Sequence, residues 1–126
     1  MKKLFTPALI FAAFFIFSAA SAQSVHHTVH AKRPAAADIA AGEALFLKSD
    51  CLTCHKMDVK LVGPAYYDVA KKYPPTEANY EMLASKVISG GGGVWGQVAM
   101  APHPLLTHDD AKKIVEYILS LKPGKS

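Results

Sequence analysis

Two cysteines occur in this chain, and both fall in one pentapeptide, Cys51-Leu-Thr-Cys54-His55. No other feature restricts the possible folds so tightly, because each chemistry open to a close thiol pair demands a different framework. A disulfide is a poor structural use of this spacing, which belongs to redox-active pairs rather than to staples across long loops. A redox dithiol of the thioredoxin kind needs a βαβ frame, and the flanking residues carry no strand-like alternation. A closed zinc site needs further ligands at matching spacing, and no second cysteine pair exists.

The histidine directly after the second cysteine fits a fourth possibility. Two thiols separated by two residues can add to the two vinyl groups on one edge of a haem, while the next imidazole reaches the iron from one face. This is the c-type haem attachment pattern. The motif therefore leads to one covalent haem c, held through Cys51 and Cys54, with His55 as an iron ligand.

The frame around the motif reads as helical. Asp38 is the expected N-cap of a first helix that carries Ile39, Leu45 and Phe46 and runs to Ser49. Pro64 can open a second, Ala65 to Lys72, which Pro74 and Pro75 must stop. Thr76 can cap a third, on which Tyr80, Leu83, Ala84, Val87 and Ile88 recur as one apolar stripe. Gly90 to Gly93 end it. Thr107 with Asp110 resembles a capping box, opening a last helix whose apolar side holds Ile114, Ile118 and Leu121, with Tyr117 beside them. That helix should end before Pro123. Helices this short enclose a marginal core unaided, and a large apolar group at the centre would complete it.

The chain has 126 residues, enough for one domain. It opens Met-Lys-Lys, continues with an apolar run from Ala8 to Phe17, and passes through Ser18 to Ala22 in small residues. This describes a secretory signal peptide over residues 1–22, with a run well short of the ~20 residues a membrane span needs. The mature chain is expected to start near Gln23 as a soluble periplasmic protein with no membrane span. Residues 23–37 lack apolar periodicity and read as a flexible linker, with His26, His27 and His30 as solvated tail residues. The haem domain is expected over 38–126. Lys2, Lys3, Lys32 and Arg33 account for the whole formal excess of +4, which leaves a neutral core. Such a core has no electrostatic footprint for nucleic acid.

A second iron ligand must come from downstream. Met57 is too close to His55 to cross a haem plane. Met82 lies inside the third helix and reads as core packing, and His108 sits on a helix's first turn as a surface residue. Met100 lies in an irregular, proline-stiffened stretch, Val98 to Pro104, that can present a thioether at fixed distance. It is favoured, with His103 as the runner-up.

The segments CLTCHK, VGPAYYDVAKKY and GGVWGQVAM, the last with a proline after it, stand in order with compatible spacing. Together they resemble the small bacterial class I cytochromes c of the c-five-fifty-one type, over about residues 40–122. The resemblance implies an all-α class I cytochrome c fold, with four to five short helices wrapped around one covalently bound haem. It implies crossing first and last helices, with Phe46 and Tyr117 at their contact. It also implies Met100 as the second axial ligand and the Pro64 carbonyl as acceptor for the Nδ1–H of His55. Trp95 would donate its indole N–H to a haem propionate, and Lys86 would be a basic propionate partner. The sequence departs from the family pattern at Ala99 and Ala101, which stand where prolines are usual and imply a softer ligand loop. His103 stands where the family often has Asn, close to the Met sulfur.

Ligation by His and Met closes both axial positions and leaves no open site for a substrate. The expected role is therefore not an enzyme's but that of a one-electron carrier in a respiratory chain. It would be a monomer making brief contacts through a weakly charged rim of Leu52, Thr53, Val62 and Ala101. Lys56 and Lys60 read as solvated surface residues. The resemblance implies a quinol-oxidising complex as donor and a terminal oxidase or nitrite reductase as acceptor. Two other readings stay open from the residues alone. One is a haem sensor or weak peroxidase with a labile sixth ligand, and the other a haem c subunit of a larger oxidoreductase.

Overall fold

The computed structural model describes residues 33–122. They form five helices in order: α1 (Ala36–Lys48), α2 (Cys51–Cys54), α3 (Tyr66–Lys72), α4 (Glu77–Ser89) and α5 (His108–Ser120). Among the described residues, β-pairing is confined to one isolated antiparallel bridge between Gly91 and Met100. No described helix is long and apolar enough to cross a membrane. The expected leader, the tail histidines and most of the expected linker lie outside the described residues, as does Pro123.

The first helix starts earlier than its capping signal suggested. Ala35 is the N-cap, and its carbonyl accepts from Asp38 N at 3.0 Å and Ile39 N at 3.1 Å. Asp38 thus lies in the first turn instead of at the cap. The alanines before it are the strongest helix formers and extend the helix backward, while a carboxylate in the first turn still suits the dipole. The turn α2 has four residues, too few for helical periodicity to reveal.

Helix α5 is the spine of the domain. Helices α1, α3 and α4 each pack on it, α1 most extensively. The wide apolar face of α5 buries Ile114, Val115, Ile118 and Leu119. Phe46 of α1 is fully enclosed, its ring 5.1 Å from that of Tyr66 on α3 at 76° and 5.4 Å from that of Tyr117 on α5. Near-perpendicular rings set the positive edge of one against the negative face of the other. One aromatic cluster thereby fixes three helices relative to each other.

The helix starts are well secured on the site's side. Thr76 accepts from Asn79 N at 3.4 Å, and Thr107 accepts from Asp110 N at 3.1 Å while its hydroxyl donates to Asp110 Oδ2 at 2.8 Å. Lys112 on α5 reaches Glu81 on α4 at 2.9 Å and also contacts Glu77, tying the two helices across their exposed edge. Thr107→Ala should lower stability by about 1 kcal/mol through loss of the cap. Urea unfolding measures it, and an unchanged midpoint would show that the cap contributes nothing here.

Candidate functional site

The single turn α2 sets the geometry of the motif. Thr53 N bonds the Asp50 carbonyl at 2.9 Å and His55 N bonds the Cys51 carbonyl at 3.1 Å. This winding places Cys51 and Cys54 on one face, since residues three apart on a helix are neighbours. The two are not joined in a disulfide. At His55 the backbone turns extended, with φ −120° and ψ 154°, and the helix stops.

The His55 ring is held on several sides. Its Nδ1 lies 2.8 Å from the Pro64 carbonyl. A carbonyl only accepts, so Nδ1 carries the hydrogen and Nε2 keeps the lone pair, the form that binds a metal. The ring of Tyr66 stacks beside it, with centroids 5.0 Å apart at 24°. Gly63 presses on the imidazole so closely that a Cβ there would fall 2.3 Å from Cε1 and 2.7 Å from each ring nitrogen. Gly63 N and Val62 N both bond the Cys54 carbonyl, at 2.8 and 3.2 Å, folding the segment back over the motif. Gly63 and Tyr66 were not singled out from the sequence, although both lie inside VGPAYYDVAKKY. Their contacts with His55 have no periodic signature.

Burial pushes the Cys51 thiol above its usual range, with the Tyr66 hydroxyl beside it working in the opposite direction. The Tyr66 phenol is pushed up as well, first by burial and then by the neighbouring Cys51. A desolvated pocket disfavours the charged form of either group.

A cavity of about 720 Å³ opens between these elements, within the ~300–1,000 Å³ range of small-molecule sites. Cys51, Cys54, His55, Pro64, Lys86, Trp95 and Met100, the side chains singled out from the sequence, all border it. Val69, Leu83, Val87, Ile114 and Ile118 supply apolar wall from α3, α4 and α5. Two thiols on one turn, an imidazole lone pair, a thioether and apolar walls form a donor set and a shape that fit a covalently attached haem.

Met100 approaches from the long connection between α4 and α5. It is half-buried and pairs with Gly91 through N–H···O bonds of 3.0 and 3.1 Å. The chain turns into this pairing at Gly90, where φ is +69° and a Cβ would meet the Met100 carbonyl oxygen at 2.5 Å. Only glycine combines that dihedral with that approach.

The other candidates fall elsewhere. Met57 packs against the core cluster. Met82, expected in the core, is 47 % exposed and borders the cavity. It lies off the stripe through which α4 packs on α5. His108 sits 3.3 Å from Glu81 on the surface. His103 has both ring nitrogens engaged, Nδ1 3.3 Å from the Val87 carbonyl and Nε2 3.1 Å from Asp50 Oδ1. Trp95 is partly exposed, with Lys72 Nζ 5.4 Å from its ring centroid as a cation–π pair. Lys86 borders the cavity with its Nζ close to Gly91.

Comparison with known proteins gives a consistent result. The Cytochrome c family model matches residues 39–122. Cytochrome c-552 of Hydrogenobacter thermophilus is 45% identical over 82 residues, covering 65% of this chain and 83% of that protein. Cytochrome c-551 of Stutzerimonas stutzeri is 44% identical over 81 residues, covering 64% and 77%. The crystal structure of wild-type Nitrosomonas europaea cytochrome c552 aligns with a TM-score of 0.59 at 40% identity, covering 64% of this chain and 99% of that one.

Proposed function

Since the chain belongs to the cytochrome c family, we propose that it is an exported, diffusible one-electron carrier whose single haem is ligated by His55 and Met100. The fold is that of a small class I cytochrome c of the c-551 type, and the chain binds one covalent haem c through Cys51 and Cys54. Proteins of this family carry electrons between redox partners.

The observation that supports the ligation is that His55 and Met100, 45 positions apart in the chain, border the same cavity. Each is anchored by backbone, His55 through Pro64 and Met100 through Gly91. The bound haem would supply a metal centre that changes oxidation state by one electron, and His55 and Met100 would hold it. The protein's part is to hold an imidazole and a thioether in place, so that little reorganises when charge moves. The apolar walls disfavour the more highly charged oxidised state and exclude water from the donors. Trp95 and Lys86 would serve the propionate side. Exposed Leu52, Val62 and Ala101 lie on the elements around the cavity and would give a partner a small, weakly charged contact. A quinol-oxidising complex as donor and a terminal oxidase or nitrite reductase as acceptor suit a periplasmic carrier of this kind.

The optical spectrum of the oxidised holoprotein tests this. A thioether–iron charge-transfer band at the red edge should be present and should vanish in Met100→Ala, which should then bind cyanide at once. A wild-type protein that lacks the band and takes cyanide or carbon monoxide immediately would instead be a sensor or weak peroxidase.

A further inference from the structure

The contacts that hold the His55 ring differ in what they can fix. The torsion that turns an imidazole about its Cβ–Cγ bond is broad by nature. The 2.8 Å hydrogen bond from Nδ1 to the Pro64 carbonyl anchors one ring atom, and a carbonyl oxygen accepts over a broad range of directions. Gly63 closes on the imidazole but has no side chain to lay against it. A flat ring stacked on the imidazole acts differently, because a large tilt of either plane drives the two rings into each other. Among the described residues, Tyr66 is the one aromatic ring stacked on His55, with centroids 5.0 Å apart and planes 24° apart.

Tyr66 is itself fixed from several directions. It is buried, and the ring of fully enclosed Phe46 meets it at 5.1 Å and 76°. Its N–H donates to the Lys56 carbonyl at 3.0 Å, and that of Tyr67 donates to the Met57 carbonyl at 3.0 Å. The start of α3 is thereby tied to the two residues that follow His55. The Tyr66 hydroxyl lies beside the Cys51 sulfur, at the other end of the motif. One side chain therefore reaches from the helical core to both ends of the segment Cys51 to His55.

We propose that Tyr66 is a positioning residue for His55: its ring sets the plane in which the imidazole stands and carries the rigidity of the Phe46 cluster to the iron ligand. The proposal rests on His55 ligating the haem iron. The ring bears this role and the hydroxyl does not, since the stack engages ring faces alone. A ligand whose plane is set in advance does not turn when the iron gains or loses charge, which suits a carrier of single electrons.

The test is proton magnetic resonance of the oxidised holoprotein with cyanide bound. Cyanide is symmetric about its axis, so the plane of the opposite imidazole decides how unpaired spin divides among the four haem methyls. Wild type should give one set of methyl lines. Tyr66→Leu should change their order or add a second set, and Tyr66→Phe should restore the wild-type pattern. Tyr117→Leu, which loosens the same aromatic cluster through Phe46, should leave that pattern unchanged. A wild-type pattern in Tyr66→Leu, a changed one in Tyr117→Leu, or failure of Tyr66→Phe to restore it overturns the proposal. If Tyr66→Leu does not fold, the diamagnetic reduced wild type decides. Cross-relaxation between the Tyr66 and His55 ring protons is expected there, and its absence overturns the stack. His55 ring protons that the oxidised iron leaves unshifted would overturn the ligation reading instead, which separates the two failures.

Discussion

Gly63→Ala is expected to destabilise the protein by about 3 kcal/mol, at the upper end of what overpacking costs, and to disorder the ring of His55, the proposed iron ligand. The backbone at Gly63 is outside the positive-φ region, so alanine is conformationally acceptable there and the whole effect is steric. The new methyl would lie 2.3 to 2.7 Å from three atoms of the His55 ring. The ring cannot yield easily. Tyr66 stacks on it, and its Nδ1–H is committed to Pro64. If the imidazole swings away it leaves the Pro64 carbonyl unmatched and moves Nε2 from the place proposed for iron ligation. If segment 62–64 moves instead, its bonds to the Cys54 carbonyl are lost. Either path should lower the melting temperature of a domain this size by something on the order of 15 °C, and the oxidised spectrum should show a mixture of ligation states. Wild-type melting together with a wild-type spectrum would mean that the ring and Gly63 are not in contact.

Gly42→Ala tests the opposite intuition. In an exposed helix interior this substitution stabilises by about 1 kcal/mol, because alanine is the better helix former. Gly42 is buried in α1 where it meets α5, and a Cβ would fall 2.0 Å from the Lys113 carbonyl oxygen, 2.6 Å from its carbon and 3.2 Å from Ile114 N. All three are backbone atoms of a helix, so no rotamer change relieves the clash. The two helices must separate, which loosens the packing of Phe46 on Tyr117 and around Ile114. Overpacking outweighs propensity, and the expected net loss is about 2 kcal/mol. The melting temperature should fall by something on the order of 10 °C. A rise in thermal stability would show that the helices do not approach so closely at this crossing.

The two glycines show what a linear reading of the chain leaves out. Neither carries a turn signature, and Gly42 sits within a helical pattern where glycine looks like a weakness. Its value is a close approach between residues about seventy positions apart. Asp50 and His103 are similar, since no local pattern pairs them and only packing brings their side chains to 3.1 Å. Met82 was placed in the core because it lies inside an amphipathic helix. The structure sets it at the wall of the cavity instead, off the packed stripe of α4 through Tyr80, Leu83 and Ala84.

Local chemistry was readable without coordinates. Two thiols and an imidazole at fixed spacing specify their ligand because covalent addition and metal ligation depend on residues within one turn of chain. Thr76 and Thr107 announced their helices because a cap acts over three residues. The crossing of α1 on α5, the stack of Tyr66 on His55 and the convergence of Met100 on the far wall of the cavity depend on distance in space. Only packing around a shared core brings such groups together, and no local pattern along the chain names which atoms will meet.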